Sequence, residues 1–279
     1  MSNTIDLQSS LRCFADSLRK AEKSRATVGK YLRDTRYFLR YLNGRGITKE
    51  STIGYKHHLQ EQGYRVSSVN SMLASVNAFL AFLDMNQCRV KFVRTQRKVY
   101  TPVERELSKD EYMRLLQASA PNQKLNLVLQ TICGTGIRIS ELRYFTVEAV
   151  RAGEVNVLCK NKTRTILVPD LLKKRLLKFA KDRKIREGAI FITRGGKPLD
   201  RSNIWTQMKR LCTAANVDPR KVFPHNLRKL FARCFYGISK DIAKLADVLG
   251  HGSIETTRIY IMTTGQEHRR QLEQLHLII

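Results

Sequence analysis

Arginine and histidine side chains occur at short, regular spacings in the second half of the chain. Arg138 follows the glycine-flanked turn 134–136 near the start of a predicted helix, and Glu141 lies one turn further on. His225 and Arg228 are three residues apart, so a helix presents both side chains on one face. A helix N-terminus already attracts anions, and a guanidinium adds a bidentate donor for phosphate oxygens. The pattern indicates a pocket for a phosphate that gains negative charge during a reaction.

Further residues complete a set suited to phosphoryl transfer. Two glycines flank His251 in a predicted turn, and Tyr260 follows nine residues later on the next predicted helix. Lys160 and Lys162 lie at the tip of a predicted β-hairpin. A tyrosine can act as a nucleophile, and a lysine can protonate a leaving oxygen. Each group taken alone also fits a structural role, such as a surface Arg–Glu pair, a core tyrosine or a basic loop.

The charge of the chain favours nucleic acid as the source of that phosphate. Of 279 residues, 51 are lysine or arginine and 24 are acidic, which gives a net charge of +27. The excess is +11 over residues 1–98 (18 basic, 7 acidic) and +16 over the remainder (33 basic, 17 acidic). Distributed basic residues that contact phosphates release counterions and bind DNA. The first residues lack a secretory signal and no apolar run is long enough for a membrane helix, so we expect a cytoplasmic protein.

Helical periodicity organises the first part of the chain into a small bundle. Apolar residues recur every three or four positions over 25–42 and 67–83, and weaker patterns cover 6–22 and 49–62. We therefore predict a helical DNA-binding domain over 1–88, followed by a basic linker over 89–106 in which the periodicity is lost. The residues expected to contact DNA are Arg25, Lys30, Arg33, Arg36, Arg94, Arg97 and Lys98, with Lys162 added from the hairpin.

The remainder, 107–279, is predicted to form a mainly helical domain with a small β insert. Alternating residues over 154–158 and 165–168 predict the β-hairpin, and 189–193 predicts a third strand. The expected fold class is mainly α, with a hairpin or three-stranded sheet in the second domain. Predicted helices cover 108–119, 122–134, 139–145, 170–182, 200–215, 225–235, 240–249, 253–262 and 265–275.

In combination, these segments resemble the tyrosine recombinase, or phage integrase, family. The resemblance is carried by GTGIRISEL at 134–142, HNLR at 225–228, LGHGSIETTRIY at 249–260 and the lysine hairpin. It implies a SAM-like, helical core-binding domain and an α+β catalytic domain that ends in a C-terminal exchange segment. The chain departs from the family at 229–230, where it has Lys-Leu and members often have His-Thr. The implied catalytic set is Arg138, Lys160, His225, Arg228, His251 and Tyr260, with Lys162 as the alternative lysine.

The implied reaction is site-specific DNA recombination through a 3′-phosphotyrosyl intermediate. Tyr260 attacks a phosphodiester and releases a 5′-hydroxyl, and a partner strand later attacks the phosphotyrosine and reseals the DNA. A free tyrosine has a pKa of about 10, and nearby arginines stabilise the phenolate and the charged transition state. His225 is the expected proton acceptor, Lys160 the acid for the 5′-oxygen, and His251 a hydrogen-bond donor to the phosphate. We expect no cofactor and no metal, and the six cysteines form no C-x-x-C pair.

The resemblance also implies partners. Strand exchange joins two duplexes and four protomers, so we expect a tetramer on double-stranded DNA that carries specific recombination sites. Apolar residues close the chain, and this C-terminal segment is expected to dock on a neighbouring protomer. They are Leu272, Leu275, Leu277, Ile278 and Ile279.

The leading hypothesis for the biological role is integration or excision of a mobile element, with an accessory excision factor as a further partner. The alternatives are a type IB topoisomerase-like nicking-resealing enzyme, a catalytically silent DNA-binding regulator of the same fold, and a basic RNA-binding protein. The target sequence is open, and so is the choice between phage integration, transposition and resolution of chromosome dimers.

Overall fold

The computed structural model describes residues 7–94, 106–159, 162–193, 195–261, 269 and 272–275. The chain divides into two compact units, residues 1–97 and residues 98–279. Each unit buries apolar side chains in a core of its own, as expected of separate domains. Among the described residues, every helix is too short or too polar to cross a bilayer.

The first unit is built from helices that follow the predicted apolar stripes. They are α1 (Leu7–Lys20), α2 (Arg25–Leu42), α3 (Lys49–Glu61) and α4 (Val66–Phe82). The prediction for α2 is confirmed to the residue, and the other three agree within two residues at each end. Helix α2 begins where the Ser24 hydroxyl accepts a hydrogen bond from the Thr27 N–H, which satisfies an otherwise free donor. The apolar faces of α2, α3 and α4 meet in a common core.

Helix α4 also holds the first residues of the segment that follows the bundle. The Asn77 side chain exchanges two hydrogen bonds with the backbone of Val90, at 2.9 and 3.0 Å. Asn70 makes the same pair of bonds with Val93, at 2.9 and 2.8 Å. Residues 89–94 of the predicted linker therefore run along the bundle surface, while 95–105 lie outside the described residues.

The second unit begins with α5 (Lys109–Ala118), which agrees with the predicted helix over 108–119 to within one residue at each end. Ser108 and Glu111 exchange the side-chain to backbone hydrogen bonds of a capping box at its start. A six-residue 3₁₀ helix over Ile139–Tyr144 replaces the α-helix expected at 139–145. The other helices are α6 (Gln123–Thr135), α7 (Val147–Ala152), α8 (Asp170–Asp182), α9 (Arg201–Ala214), α10 (Pro224–Ser239), α11 (Ile242–Leu249) and α12 (Ile254–Ile261).

The β insert is a two-stranded antiparallel hairpin of β1 (Glu154–Cys159) and β2 (Lys162–Leu167). The prediction of a third strand at 189–193 is wrong for the described residues. That segment makes only isolated bridges, between Thr146 and Ala189 and between Ile192 and Pro198. Its backbone pairs with the loop before α7, where Ile190 N–H donates to Phe145 O at 2.9 Å, so it adds to neither strand of the hairpin.

Helices α6 and α10 pack together at the centre of the second unit. Helix α6 ends at Gly136 in the left-handed region, with φ of 66°. A Cβ at this position would lie 2.4 Å from the Phe231 ring of α10, so only glycine lets the chain turn this close to the helix. The close approach brings the loop after α6, which carries Arg138, against the helix that carries His225 and Arg228.

Candidate active site

A cleft of about 720 Å³ opens between the loop after α6, the first turn of α10 and the first turns of α9. Arg138, His225 and Arg228 line it together. The structure thus brings three members of the predicted catalytic set into one cavity. Arg201 and the exposed Trp205 of α9 complete the opposite wall, and sequence reasoning assigned neither of them a role.

Arg138 is held by Glu141, as its spacing predicts. The Arg138 Nη1 atom donates to Glu141 Oε1 at 3.0 Å, and the Arg138 backbone N–H donates to Oε2 at 2.7 Å. The carboxylate is almost completely buried, whereas 37% of the Arg138 side chain is exposed. The guanidinium is therefore fixed in direction while part of it faces the cleft.

Arg228 is buried to an unusual degree for an arginine, with 1% of its surface exposed. Its Nη1 atom donates to the carbonyl of Gly136 at 2.5 Å, and Nη2 donates to the carbonyl of Leu249 at 2.6 Å. Its Nε atom is buried without a hydrogen-bond partner among the described residues. Burial, and then the nearby charge of Arg138, lower the pKa of Arg228 to about 10, which leaves it cationic at neutral pH.

The two predicted histidines flank Tyr260. The centres of the His225 and Tyr260 rings are 5.0 Å apart, and the His251 and Tyr260 rings are separated by the same distance. The Arg228 Cζ atom lies 5.9 Å from the centre of the Tyr260 ring. Only 8% of Tyr260 is exposed. The tyrosine ring is thus packed beside the buried guanidinium of Arg228.

Burial and nearby positive charge lower the pKa of both imidazoles and so favour their neutral forms. Burial, followed by the charges of Arg228, Arg138 and Arg164, lowers the pKa of His251 to about 4. His225 is exposed at the cleft, yet partial loss of solvation lowers its pKa, and Lys229, Arg228 and Arg138 lower it further. A neutral His225 next to a phenol can accept a proton.

The structure describes little of the two predicted lysines at the tip of the hairpin. Lys160 is outside the described residues, and of Lys162 only the backbone is described, as the first residue of β2. Their hairpin nevertheless borders the site, because Arg164 of β2 reaches Glu141 with an Nη2 to Oε2 distance of 2.5 Å. Sequence reasoning missed Arg164. Its position two residues before the buried Ile166, on the same side of an alternating strand, was the available signal.

The predicted DNA-contacting residues of the first unit have different surroundings. Arg25 and Arg36 are exposed, and so is Arg94 beyond the bundle. Lys30 instead donates to Asp34 at 2.7 Å and to the Ser71 carbonyl at 2.7 Å. Arg33 forms a second ion pair with Asp34, while Arg97 and Lys98 lie outside the described residues.

The geometry suits stabilisation of a phosphate by fixed positive charge. Arg138 and Arg228 line the cleft together with His225, and the rings of His225 and His251 pack beside the ring of Tyr260. In the part of the chain that the structure describes, His, Cys, Asp and Glu form no group of three that could hold a metal ion.

Comparison with known proteins gives matches over both units. Residues 105–267 match the profile described as the phage integrase family, and residues 11–87 match that of the phage integrase N-terminal SAM-like domain. The tyrosine recombinase XerD of Halalkalibacterium halodurans is 26% identical over 280 residues, covering 91% of this chain and 92% of that protein.

Solved structures show the same fold at lower identity. The integrase of transposon Tn1549, in complex with transposon right end DNA, superposes with a TM-score of 0.74 at 16% identity, over 95% of this chain and 99% of that one. A lambda integrase tetramer bound to a Holliday junction gives a TM-score of 0.70 at 20% identity, over 93% of this chain and 78% of that one.

Proposed function

The chain belongs to the phage integrase family of site-specific tyrosine recombinases, and from that membership we propose that Tyr260 cuts DNA and holds it as a 3′-phosphotyrosine. The phenol oxygen attacks phosphorus, the bond to the 5′-oxygen breaks, and the phosphodiester energy is kept in the new ester. Attack by a 5′-hydroxyl of a partner strand then reverses these bond changes and reseals the DNA.

The observation that carries this proposal is the packing of Tyr260 between two histidines and against Arg228. His225 is the proposed acceptor of the phenolic proton, since its lowered pKa keeps it neutral at physiological pH. Arg138 and Arg228 are the proposed donors to the phosphate oxygens, where negative charge grows in the transition state. Lys160 is proposed, from the family resemblance, to return a proton to the leaving 5′-oxygen.

Covalent capture tests the proposal and finds the unknown site at the same time. The wild-type protein is incubated with sheared genomic DNA, denatured, and the DNA that stays attached to protein is sequenced. A nicked duplex that carries the recovered site then traps the adduct on a denaturing gel. We expect the adduct from wild type and none from Tyr260→Phe. An adduct that persists in Tyr260→Phe would overturn the assignment.

Two alternatives give different results in the same system. A catalytically silent regulator binds the recovered site without forming an adduct. A topoisomerase-like enzyme forms the adduct and relaxes a supercoiled plasmid, but does not exchange DNA between two sites on it. We expect exchange between two sites, with Tyr260→Phe as the matched control.

The first unit is proposed to hold DNA through the groove between α2 and α4. Lys30, Arg33, Arg40 and Tyr64 line this groove, with serines from the first turns of α4. Exposed arginines and hydroxyls at a helix N-terminus are suitable donors to backbone phosphates. Arg25, Arg36, Arg94, Arg97, Lys98 and Lys162 remain proposed contacts.

The assembly is proposed to be a tetramer on DNA with the C-terminal segment donated between protomers. The similar lambda integrase fold occurs as a tetramer on a Holliday junction, which supports this number of protomers. Leu272 and Leu275, which belong to the described residues, are more than half exposed and are the apolar side chains proposed to dock on a neighbouring protomer.

The biological role is proposed to be integration or excision of a mobile element, with an accessory excision factor as a further partner in excision. Similarity to the folds of a transposon integrase and of lambda integrase supports this role. The relative named XerD supports the second candidate, a role in resolving chromosome dimers. Sequencing of captured DNA distinguishes the two, because a mobile element places sites at both its borders and dimer resolution needs one chromosomal locus.

A further inference from the structure

Arg164 is a buried cation that the proposed catalytic set does not use. It lies on β2, and 12% of its side chain is exposed. Nη2 is 2.5 Å from Glu141 Oε2, and Nη1 donates to the carbonyl of Val248 at 2.7 Å. Nε is buried with no hydrogen-bond partner in the described part of the chain. The guanidinium therefore connects the hairpin to the Arg138 loop and to the end of α11.

Glu141 receives hydrogen bonds from two arginines at once. Oε1 accepts from the Arg138 guanidinium, and Oε2 accepts from Arg164 and from the Arg138 backbone N–H. The carboxylate side chain is 4% exposed, so water screens its charge poorly. With Arg138 as its sole counter-ion, Glu141 would cancel much of the positive charge that the cleft presents.

The end of α11 is tied to the same residue. A Cβ at Gly250, which has φ of 62°, would lie 2.5 Å from the Arg164 Cδ atom. The neighbouring carbonyl of Leu249 accepts from Arg228. Two arginines thus bind consecutive carbonyls just before His251, and the Arg164 side chain fills the space beside Gly250.

We propose that Arg164 is a positioning residue that neutralises Glu141, so that Glu141 orients Arg138 without cancelling its charge toward the phosphate. Arg164 itself does not touch the DNA. The inference rests on the proposed phosphate pocket around Arg138. The proposal predicts an electrostatic effect. Loss of the Arg164 charge weakens recognition of the charge on one phosphate, and additional loss of the Glu141 charge restores that recognition.

The test measures binding to two duplexes that differ by one charge. Both carry the site recovered by covalent capture, and one has a neutral methylphosphonate in place of the phosphate that Tyr260 attacks. The full-length Tyr260→Phe protein serves as parent, so neither strand is cut. A charge-assisted contact of the usual strength makes the parent prefer the charged duplex by roughly tenfold or more.

We expect Arg164→Gln in this parent to reduce the preference to about threefold or less. Arg164→Lys keeps the charge and should retain most of the preference, and Glu141→Gln combined with Arg164→Gln should regain it. Arg186→Gln, an exposed arginine between α8 and α9 with the same change in net charge, should leave it unchanged. A structural role alone would weaken binding to both duplexes equally.

An undiminished preference in Arg164→Gln would overturn the inference, and so would a double variant as weak as the single one. If Arg164→Gln fails to fold, two other variants test the inference: Arg164→Lys, and Glu141→Gln combined with Arg164→Gln. Loss of the preference for the charged duplex in both of them would overturn it. A parent that binds both duplexes equally would overturn the proposed phosphate pocket and this inference with it.

Discussion

The Nη2 atom of Arg228 lies 3.1 Å from the Nε2 atom of His251. A guanidinium has only donors, so Nε2 must be the acceptor. The other ring nitrogen, Nδ1, then carries the proton and donates to the hydroxyl of Thr257 at 2.9 Å. His251 is therefore neutral with its proton on Nδ1, in agreement with its lowered pKa. Donation from Nε2 to a phosphate requires that Nε2 carry a proton, gained from outside or transferred from Nδ1, and that the ring release the Arg228 N–H.

Thr257→Val should disturb the site by removing the partner of Nδ1. Thr257 is fully buried on α12, one turn before Tyr260, so valine fills its place without a large change in shape. Loss of one hydrogen bond to a buried group costs about 1–2 kcal/mol. We expect single-turnover cleavage to slow by roughly tenfold, measured as adduct formation, and Thr257→Ser to retain most of the rate. Equal rates for serine and valine would contradict this role.

The pKa of His251 should make stability fall in weak acid. The folded state holds this pKa at about 4, below the unfolded value of about 6.5, so the unfolded state binds more protons between these values. The contribution is present above pH 6.5 and is lost as pH falls toward 4. Between pH 7.5 and pH 5 we expect wild type to lose roughly 1–2 kcal/mol more unfolding free energy than His251→Gln. Denaturant titrations of both proteins at the two pH values measure the difference, and parallel losses would show that another group is responsible.

Lys229→Gln should move the pH dependence of cleavage. Lys229 follows Arg228 directly, and its charge is the largest contribution to the lowered pKa of His225 after desolvation of the ring. Without that charge the pKa of His225 rises, and less of the imidazole is neutral at a given acidic pH. We expect the acid limb of the single-turnover rate to move to higher pH, with a loss of about two- to fivefold at pH 6.

Lys229→Arg is the matched control because it keeps the charge, and its acid limb should stay in place. An acid limb that does not move in Lys229→Gln would argue against His225 as the proton acceptor. The measurement also tests Lys229, one of the two residues at 229–230 where the chain departs from the residues that family members often have.

The sequence correctly predicted those helices and side-chain pairs whose interacting residues lie close together along the chain. Helix α2 has an unbroken apolar stripe and a serine cap, and Arg138 and Glu141 are three residues apart. Helix α7 was missed because six residues carry less than two turns of periodicity. The third strand was wrongly predicted because a short apolar segment that ends in a turn does not reveal which backbone it will pair with.

Contacts between distant segments could not be read from spacing. Arg164 reaches Glu141 across 23 residues, and Arg228 reaches the carbonyl of Gly136 across 92. The sequence does contain the cause of the second contact, since the glycine allows the loop to approach α10. The sequence does not show which carbonyl accepts from Arg228, because a buried guanidinium can donate hydrogen bonds to any carbonyl that the fold brings near.

Lys30 should act mainly on the stability of the first unit. It donates to Asp34 and to α4, and the hydroxyl of Ser75 also donates to Asp34 at 3.0 Å. Lys30→Met leaves a buried carboxylate with fewer partners, which we expect to cost roughly 1–3 kcal/mol. Hydrogen exchange of α2 and α4 in the full-length protein measures the cost, and Lys30→Met with Asp34→Asn should recover part of it.

Arg40→Gln is the contrasting variant, because Arg40 is exposed in the same groove. Its loss should leave hydrogen exchange unchanged and reduce the slope of log Kd against log salt by about one. If Lys30→Met instead changes the salt slope and leaves hydrogen exchange unchanged, Lys30 is a DNA contact rather than a link between α2 and α4.

Deletion of residues 271–279 should weaken assembly more than DNA binding. The segment contains the exposed Leu272 and Leu275, and the basic residues proposed to contact DNA lie elsewhere in the chain. Sedimentation on two-site DNA should show loss of the largest complex, while gel shift on a single half-site should change by less than about threefold. Replacing both leucines with serine should reproduce the loss, since apolar area drives such docking at about 25 cal/mol per Å² buried. Equal losses of assembly and of half-site binding would indicate that the segment packs on its own protomer and supports its fold.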